Sequence, residues 1–170
     1  MTSQQSLVKI IIITALIALG IGFAVWLAAP AAENNTAQLS SGLSGELIVE
    51  ETAFDFGQIS MAKGKVKHEF KLKNKGNTPV AITKLYTSCM CTTASLIIEK
   101  SRRGPFGMLG HGFIPKFKEV IESGQEFSVE VVFDPAAHGP AGVGKVERAI
   151  YLEQESGERL ELIITATVIP

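Results

Sequence analysis

Beyond residue 33 the sequence predicts an all-β protein, an immunoglobulin-like antiparallel β-sandwich. Three observations carry this. Apolar and polar residues alternate with a period of two in several short runs. The clearest sets Val66, His68, Phe70 and Leu72 against Lys67, Glu69, Lys71 and Lys73, the pattern of a strand with one face buried. No run past residue 33 has apolar residues at helical spacing. Clusters of Gly, Asn, Pro and Ser divide the rest into about seven short strands at roughly 8–12-residue spacing.

The chain begins differently. Residues 1–9 hold one basic side chain, Lys9, and residues 10–32 hold no charge at all. That apolar run is about 23 residues, or roughly 35 Å as a helix, enough to cross a hydrocarbon core of about 30 Å. No Lys or Arg follows until Lys63. Positive charge is retained on the cytoplasmic side. The expectation is therefore a single-pass protein with a cytoplasmic N-terminus and a periplasmic or extracellular domain. Trp26 falls near the outer end, where an amphipathic ring suits the interface. The rival is a cleaved signal peptide, with Ala28, Ala29, Ala31 and Ala32 as small residues for a peptidase. Signal cores are typically about 7–15 residues, so the longer run favours an anchor. Residues 33–45 are small and polar, the composition of a flexible tether. The domain then occupies 46–170 and is long enough to bury a core without staples.

Within the domain, Leu47 and Val49 open a first strand. Phe54 and Phe56 lie on one side of an extended segment, and Gly57 permits a bend. The Asp55-Phe56-Gly57 triplet is shared with kinases, but no glycine-rich loop, strand lysine or catalytic loop accompanies it. Lys65 to Asn74 is the cleanest strand, and His68 on its apolar face reads as a core histidine with one hydrogen bond. Lys75 to Pro79 is a turn by composition. Val80 to Tyr86 is the next strand, followed by a polar loop and a short strand at Ser95 to Glu99. Lys100 to Lys116 carries four glycines and two prolines, and the expectation there is irregular structure, functional or mobile. Phe117 to Ile121 is short and extended. Phe127, Val129, Val131 and Phe133 alternate against Ser128, Glu130 and Val132. Asp134 to Gly144 is a second loop. Lys145 to Gln154 and Arg159 to Val168 are strands about a hairpin turn.

Composition excludes some functions. The chain holds 16 basic and 17 acidic residues, with no basic stripe for nucleic acid. The stretch from Gly139 to Lys145 resembles a phosphate loop. It has Val146 where a magnesium-binding hydroxyl is needed, and it enters a strand instead of a helix, so no nucleotide is expected.

The remaining chemistry lies in Thr87-Ser88-Cys89-Met90-Cys91-Thr92-Thr93, which holds both cysteines. On an extended backbone the two Cβ atoms would be about 6–7 Å apart. A disulfide wants about 3.5–4.5 Å and so needs a tight turn. Two thiols on one side of a loop suit a soft metal, copper or zinc, with Met108, His111 and His138 as further donors. The alternatives are a thiol-redox pair, a strained disulfide, or two small thiols that only pack a loop. A four-ligand structural zinc site lacks its second ligand pair. No acid or oxyanion group is placed for a Cys–His hydrolase, and no enzyme activity is expected.

Four segments in order are similar to one bacterial family: Phe54 to Gly57, His68 to Asn77, Thr87 to Thr93, and Phe133-Asp134-Pro135. The chain resembles the family called domain of unknown function 1573, itself similar to the immunoglobulin-like domains named after ASPM, SPD-2 and Hydin. The resemblance spans about Leu47 to Val168. It implies an exported sandwich with no established activity and supplies no catalytic residues. The family usually has Gly between the cysteines, where this chain has Met90. The first expectation for function is a membrane-anchored binding or scaffolding module of the cell envelope with a protein partner. The alternative is soft-metal binding or thiol redox chemistry at Cys89 and Cys91.

Overall fold

The computed structural model describes residues 46–111 and 117–170. The expected cytoplasmic tail, transmembrane anchor and tether, residues 1–45, lie outside the described residues. Among the described residues no helix is long and apolar enough to cross a membrane.

In chain order the strands are β1 (Leu47–Val49), β2 (Ala53–Ser60), β3 (Val66–Asn74), β4 (Val80–Thr87), β5 (Thr92–Ile98), β6 (Ser101–Phe106), β7 (Glu119–Ile121), β8 (Glu126–Phe133), β9 (Gly144–Gln154) and β10 (Arg159–Ile169). They form two five-stranded sheets, ordered β1-β3-β8-β5-β6 and β2-β10-β9-β4-β7. The expected all-β sandwich is present. Alternation places Phe127, Val129, Val131 and Phe133 of β8 in the core, opposite Leu162, Ile164, Ala166 and Val168 of β10. The outer face of the β3–β8 pair carries Lys73–Glu126 and Lys67–Glu130 ion pairs, which suit solvent and add little stability.

The motif at Phe54 to Gly57 is a bulge. Register on β10 shifts between Thr165 and Thr167 opposite it. Gly57 takes a left-handed φ of 66°, and its N–H donates to Asp55 Oδ1 at 2.9 Å. The extra residue kinks β2 and aims Phe54 between the sheets. There Phe54 stacks on His68 with ring centroids 3.6 Å apart. His68 is half-buried and Nε2 donates to Glu51 Oε1 at 2.7 Å, the single hydrogen bond expected of it.

Asn74 ends β3 on the inward row after Leu72 and is fully buried. Its Nδ2 donates to the carbonyls of Thr78 and Ile121, at 2.9 and 3.0 Å. Its Oδ1 accepts from the N–H groups of Glu46 and Gly76, at 3.2 and 3.0 Å. One amide thus ties the start of β1, the turn after β3 and the end of β7.

The structure differs from the sequence expectation at three places. The sandwich is not wholly antiparallel, because β2 pairs parallel with β10. After β1 the chain crosses to the other sheet and takes the open edge of β10, with Ile163 N–H donating to Thr52 O. A period-two pattern is the same in either direction, so it cannot announce this. Second, there are more strands than about seven, because short edge strands flank each sheet. Third, Ser101–Phe106, within the stretch expected to be irregular, is the edge strand β6. It pairs with β5 on one side only, where a proline is tolerated. Gly104 makes the bulge that fits Pro105 into the edge. Its φ is 115°, and a Cβ there would meet Ala94 O at 2.9 Å. Gly104→Ala is expected to cost about 1–3 kcal/mol through backbone strain, read as a lower urea midpoint at unchanged slope.

Candidate functional site

The site is built where β4 leaves one sheet and β5 enters the other. Thr87, the last residue of β4, is buried, with its Oγ1 3.0 Å from Cys89 O and 2.9 Å from Thr92 O. Ser88 anchors the crossing to β9. Its N–H donates to Ala149 O, and its Oγ accepts from Ala149 N–H, both at 2.9 Å. Thr92 N–H then donates to Cys89 O at 3.1 Å, closing a tight turn over Cys89 to Thr92. Glu99 is the only non-glycine residue with positive φ among the described residues. Met90, between the two cysteines, therefore makes the turn without left-handed strain.

The turn brings the sulfurs together. Cys91 Sγ lies 2.7 Å from Cys89 Sγ, and both cysteines are free. His138 Nε2 is 3.1 Å from Cys89 Sγ. Arg148 Nε donates to Cys91 Sγ at 3.1 Å. Cys91 is 3% exposed, whereas Cys89 is half-buried and His138 open to solvent.

The Phe133-Asp134-Pro135 motif holds the second wall. Asp134 N–H donates to Cys91 O at 2.8 Å. Asp134 Oδ1 accepts from Ala136 N–H at 3.0 Å, which turns the loop. Gly139 N–H donates to Ala136 O at 2.9 Å, and His138 is presented between these turns. Arg148 comes from β9, on the row Val146, Arg148, Ile150 and Leu152.

The two thiols are made unequal by their surroundings. Burial pushes the Cys89 thiol up. Hydrogen bonds from the Cys91 thiol and N–H and from His138, with the nearby Arg148 charge, outweigh that and bring it down to about 7. At Cys91, burial and the proton it shares toward Cys89 push the thiol up, against Arg148 and Thr92. Burial opposes the Arg148 charge, but its hydrogen bond to Cys91 and the charge on both thiols hold the guanidinium above its ordinary value. A more exposed, more acidic thiol beside a buried, less acidic one is the arrangement of an attacking and a resolving sulfur.

Of the donors read from sequence, Cys89, Cys91 and His138 converge, with their ligand atoms all within 4.8 Å of one another. His111 is exposed and not part of this cluster. Met108 is brought alongside by backbone pairing with Thr87, and Thr87 N–H donates to Gly107 O at 3.1 Å. Arg148 was missed by sequence reasoning. The available signal was an arginine on the inward row of an otherwise apolar strand.

Comparisons with known proteins bear on the fold. The chain is similar to a protein of unknown function from Porphyromonas gingivalis W83, 16% identical, with a TM-score of 0.53 over 78% of this chain and 51% of that one. It therefore spans about half the length of that protein. It is also similar to the ASH/PapD-like domain 7 of human CEP192, 12% identical, with a TM-score of 0.49 over 82% and 96% of the two chains. A search of curated proteins finds no match. At such identities the likeness to the Porphyromonas protein supports the sandwich and nothing chemical. The family resemblance read from the sequence is supported over residues 47–116, which match the family model described as Protein of unknown function (DUF1573); Phe133-Asp134-Pro135 lies beyond the matched residues.

Proposed function

We propose that this chain is a thiol–disulfide module carried on an immunoglobulin-like sandwich. Residues 10–32 would hold it at the outer face of a membrane, where it meets a protein partner of the cell envelope. The observation that carries the reading is the Cys89–Cys91 turn. Two free sulfurs face each other at 2.7 Å, one beside His138 and the other beneath Arg148. The extended geometry that argued against a bond between these cysteines is replaced by a turn that favours one. An exported location suits the chemistry, since disulfides persist in oxidising compartments.

The test is a redox titration of the full chain in glutathione buffers, trapped with an alkylating agent and weighed. Both thiols should pass together from two labels to none, in one two-electron step. Two labels at every potential would remove the reading.

A second reading rests on the convergence of Cys89, Cys91 and His138 within 4.8 Å, three ligands of the kind that hold copper or zinc. Tetrahedral zinc bonded to sulfur at about 2.3 Å keeps two sulfurs about 3.8 Å apart. Metal entry therefore requires the two thiols to part. Thiol exchange is placed first because Cys89, Cys91 and His138 supply three ligands, one short of the four of a closed structural site.

A further inference from the structure

Three loop segments around the reactive pair carry no charge of their own, and the charge beside the sulfurs comes from Arg148 of β9. Not one Lys, Arg, Asp or Glu falls in 87–93, 107–111 or 135–143, although 19% of the chain is charged. These are the cysteine turn, the segment bridged to Thr87, and the loop that presents His138. Five large apolar side chains are exposed among the described residues, and three belong to these segments: Met90 at 56%, Leu109 at 49% and Val143 at 45%. Met90 stands between the two cysteines. Leu109 follows the residue paired with Thr87. Val143 follows Gly142, which packs against His138. Exposed apolar side chains on segments that border a site mark a contact surface, and an unbranched methionine adapts to varied partners. The nearest guanidinium, Arg148, is taken up by Cys91 Sγ and by Glu147 O.

Resting on the thiol-exchange reading, we propose that the substrate of this site is a disulfide within an uncharged, apolar stretch of polypeptide. Small charged disulfides are poor substrates, because the three loops carry no cation for their carboxylates and the Arg148 guanidinium is already engaged by Cys91 Sγ and Glu147 O. In the reaction, the Cys89 thiolate attacks one sulfur of the substrate disulfide. The substrate S–S bond breaks, and the departing sulfur leaves with the bonding pair and takes up a proton. His138 Nε2 is placed to accept the Cys89 proton and return it to that leaving group. Cys91 then attacks Cys89 Sγ, loses its own proton, and expels the second substrate sulfur as a thiol. The substrate is reduced by two electrons, and Cys89 and Cys91 become the disulfide. The reverse sequence oxidises a substrate dithiol.

The experiment compares exchange rates of the reduced full chain with three probes. These are oxidised glutathione, a peptide whose single disulfide is flanked by Leu, Val and Phe, and the same peptide flanked by Glu. The apolar peptide should react at least about tenfold faster than either other probe. In a Met90→Ser/Leu109→Ser/Val143→Ser variant, the ratio of apolar-peptide to glutathione rates should fall about tenfold. Equal rates for the two peptides, or an unchanged ratio in the variant, would overturn the substrate assignment while leaving thiol exchange in place. If no probe reacts faster with the wild-type chain than with Cys89→Ser, both the assignment and the thiol-exchange reading fall.

Discussion

Replacing Asn74 with leucine is expected to remove a large share of the fold's stability, about 3–5 kcal/mol. Leucine matches the apolar surroundings but neither accepts nor donates. The N–H groups of Glu46 and Gly76 and the carbonyls of Thr78 and Ile121 lose their partner together. Those of Gly76 and Ile121 are buried, where an unmade hydrogen bond costs about 1–3 kcal/mol each. Against a total of about 5–15 kcal/mol for a domain, this brings the chain near its threshold. Urea unfolding should show a lower midpoint with an unchanged slope. Asn77→Ala, at an exposed position three residues on, should stay within about 0.5 kcal/mol of wild type. Equal effects at the two positions would show that the amide does not brace the turn.

The two cysteine variants are expected to fail in opposite ways. Cys91→Ser retains the attacking sulfur and lacks the resolving one, so it should accumulate a mixed disulfide with substrate. Cys89→Ser should lower the exchange rate about 100-fold. At pH 7 a thiol brought to about 7 is half ionised, whereas an ordinary thiol near 8.5 is ionised to about 3%. Cys91 is pushed the other way and is shielded as well. The sign of the pH dependence follows. Lowering the Cys89 thiol means that its alkylation rises as pH climbs through about 7 and flattens above about 8. Arg148→Gln removes a cation that favours the thiolate, so the same curve should move to higher pH. A profile centred near 8.5 in the wild type would show that the neighbours do not tune the thiol.

Much of the fold was legible because side-chain alternation reports burial directly. Val66 to Leu72 and Phe127 to Phe133 fall where the pattern puts them. The parallel β2–β10 pair was not legible, since alternation carries no strand direction. Edge strand β6 was hidden because Gly104 and Pro105 read as breakers. They are tolerated there because the edge has one pairing side and the glycine supplies the bulge. At the site, the cysteines and His138 were nameable as soft donors, but their convergence depends on two loops meeting at one end of the sandwich. The tight turn was unreadable because Met90 allows an extended path equally well. Asn74 stood at the end of the cleanest strand and within a recognisable motif, yet its partners come from segments that alternation does not connect. Only the fold shows it on the inward row with four partners.

The β2–β10 pair also sets a timetable for assembly. It joins residues 53–60 to residues 163–169, and Ser60 Oγ donates to Pro170 O across 110 positions. A chain emerging from a ribosome or a translocation pore completes β2 early and must keep that strand's edge unsatisfied until the final strand arrives. Pairings this distant in sequence are slow, on the order of milliseconds to seconds for such topologies. Through that interval the Phe54 and Phe56 side chains stay uncovered and open to chaperones or to self-association.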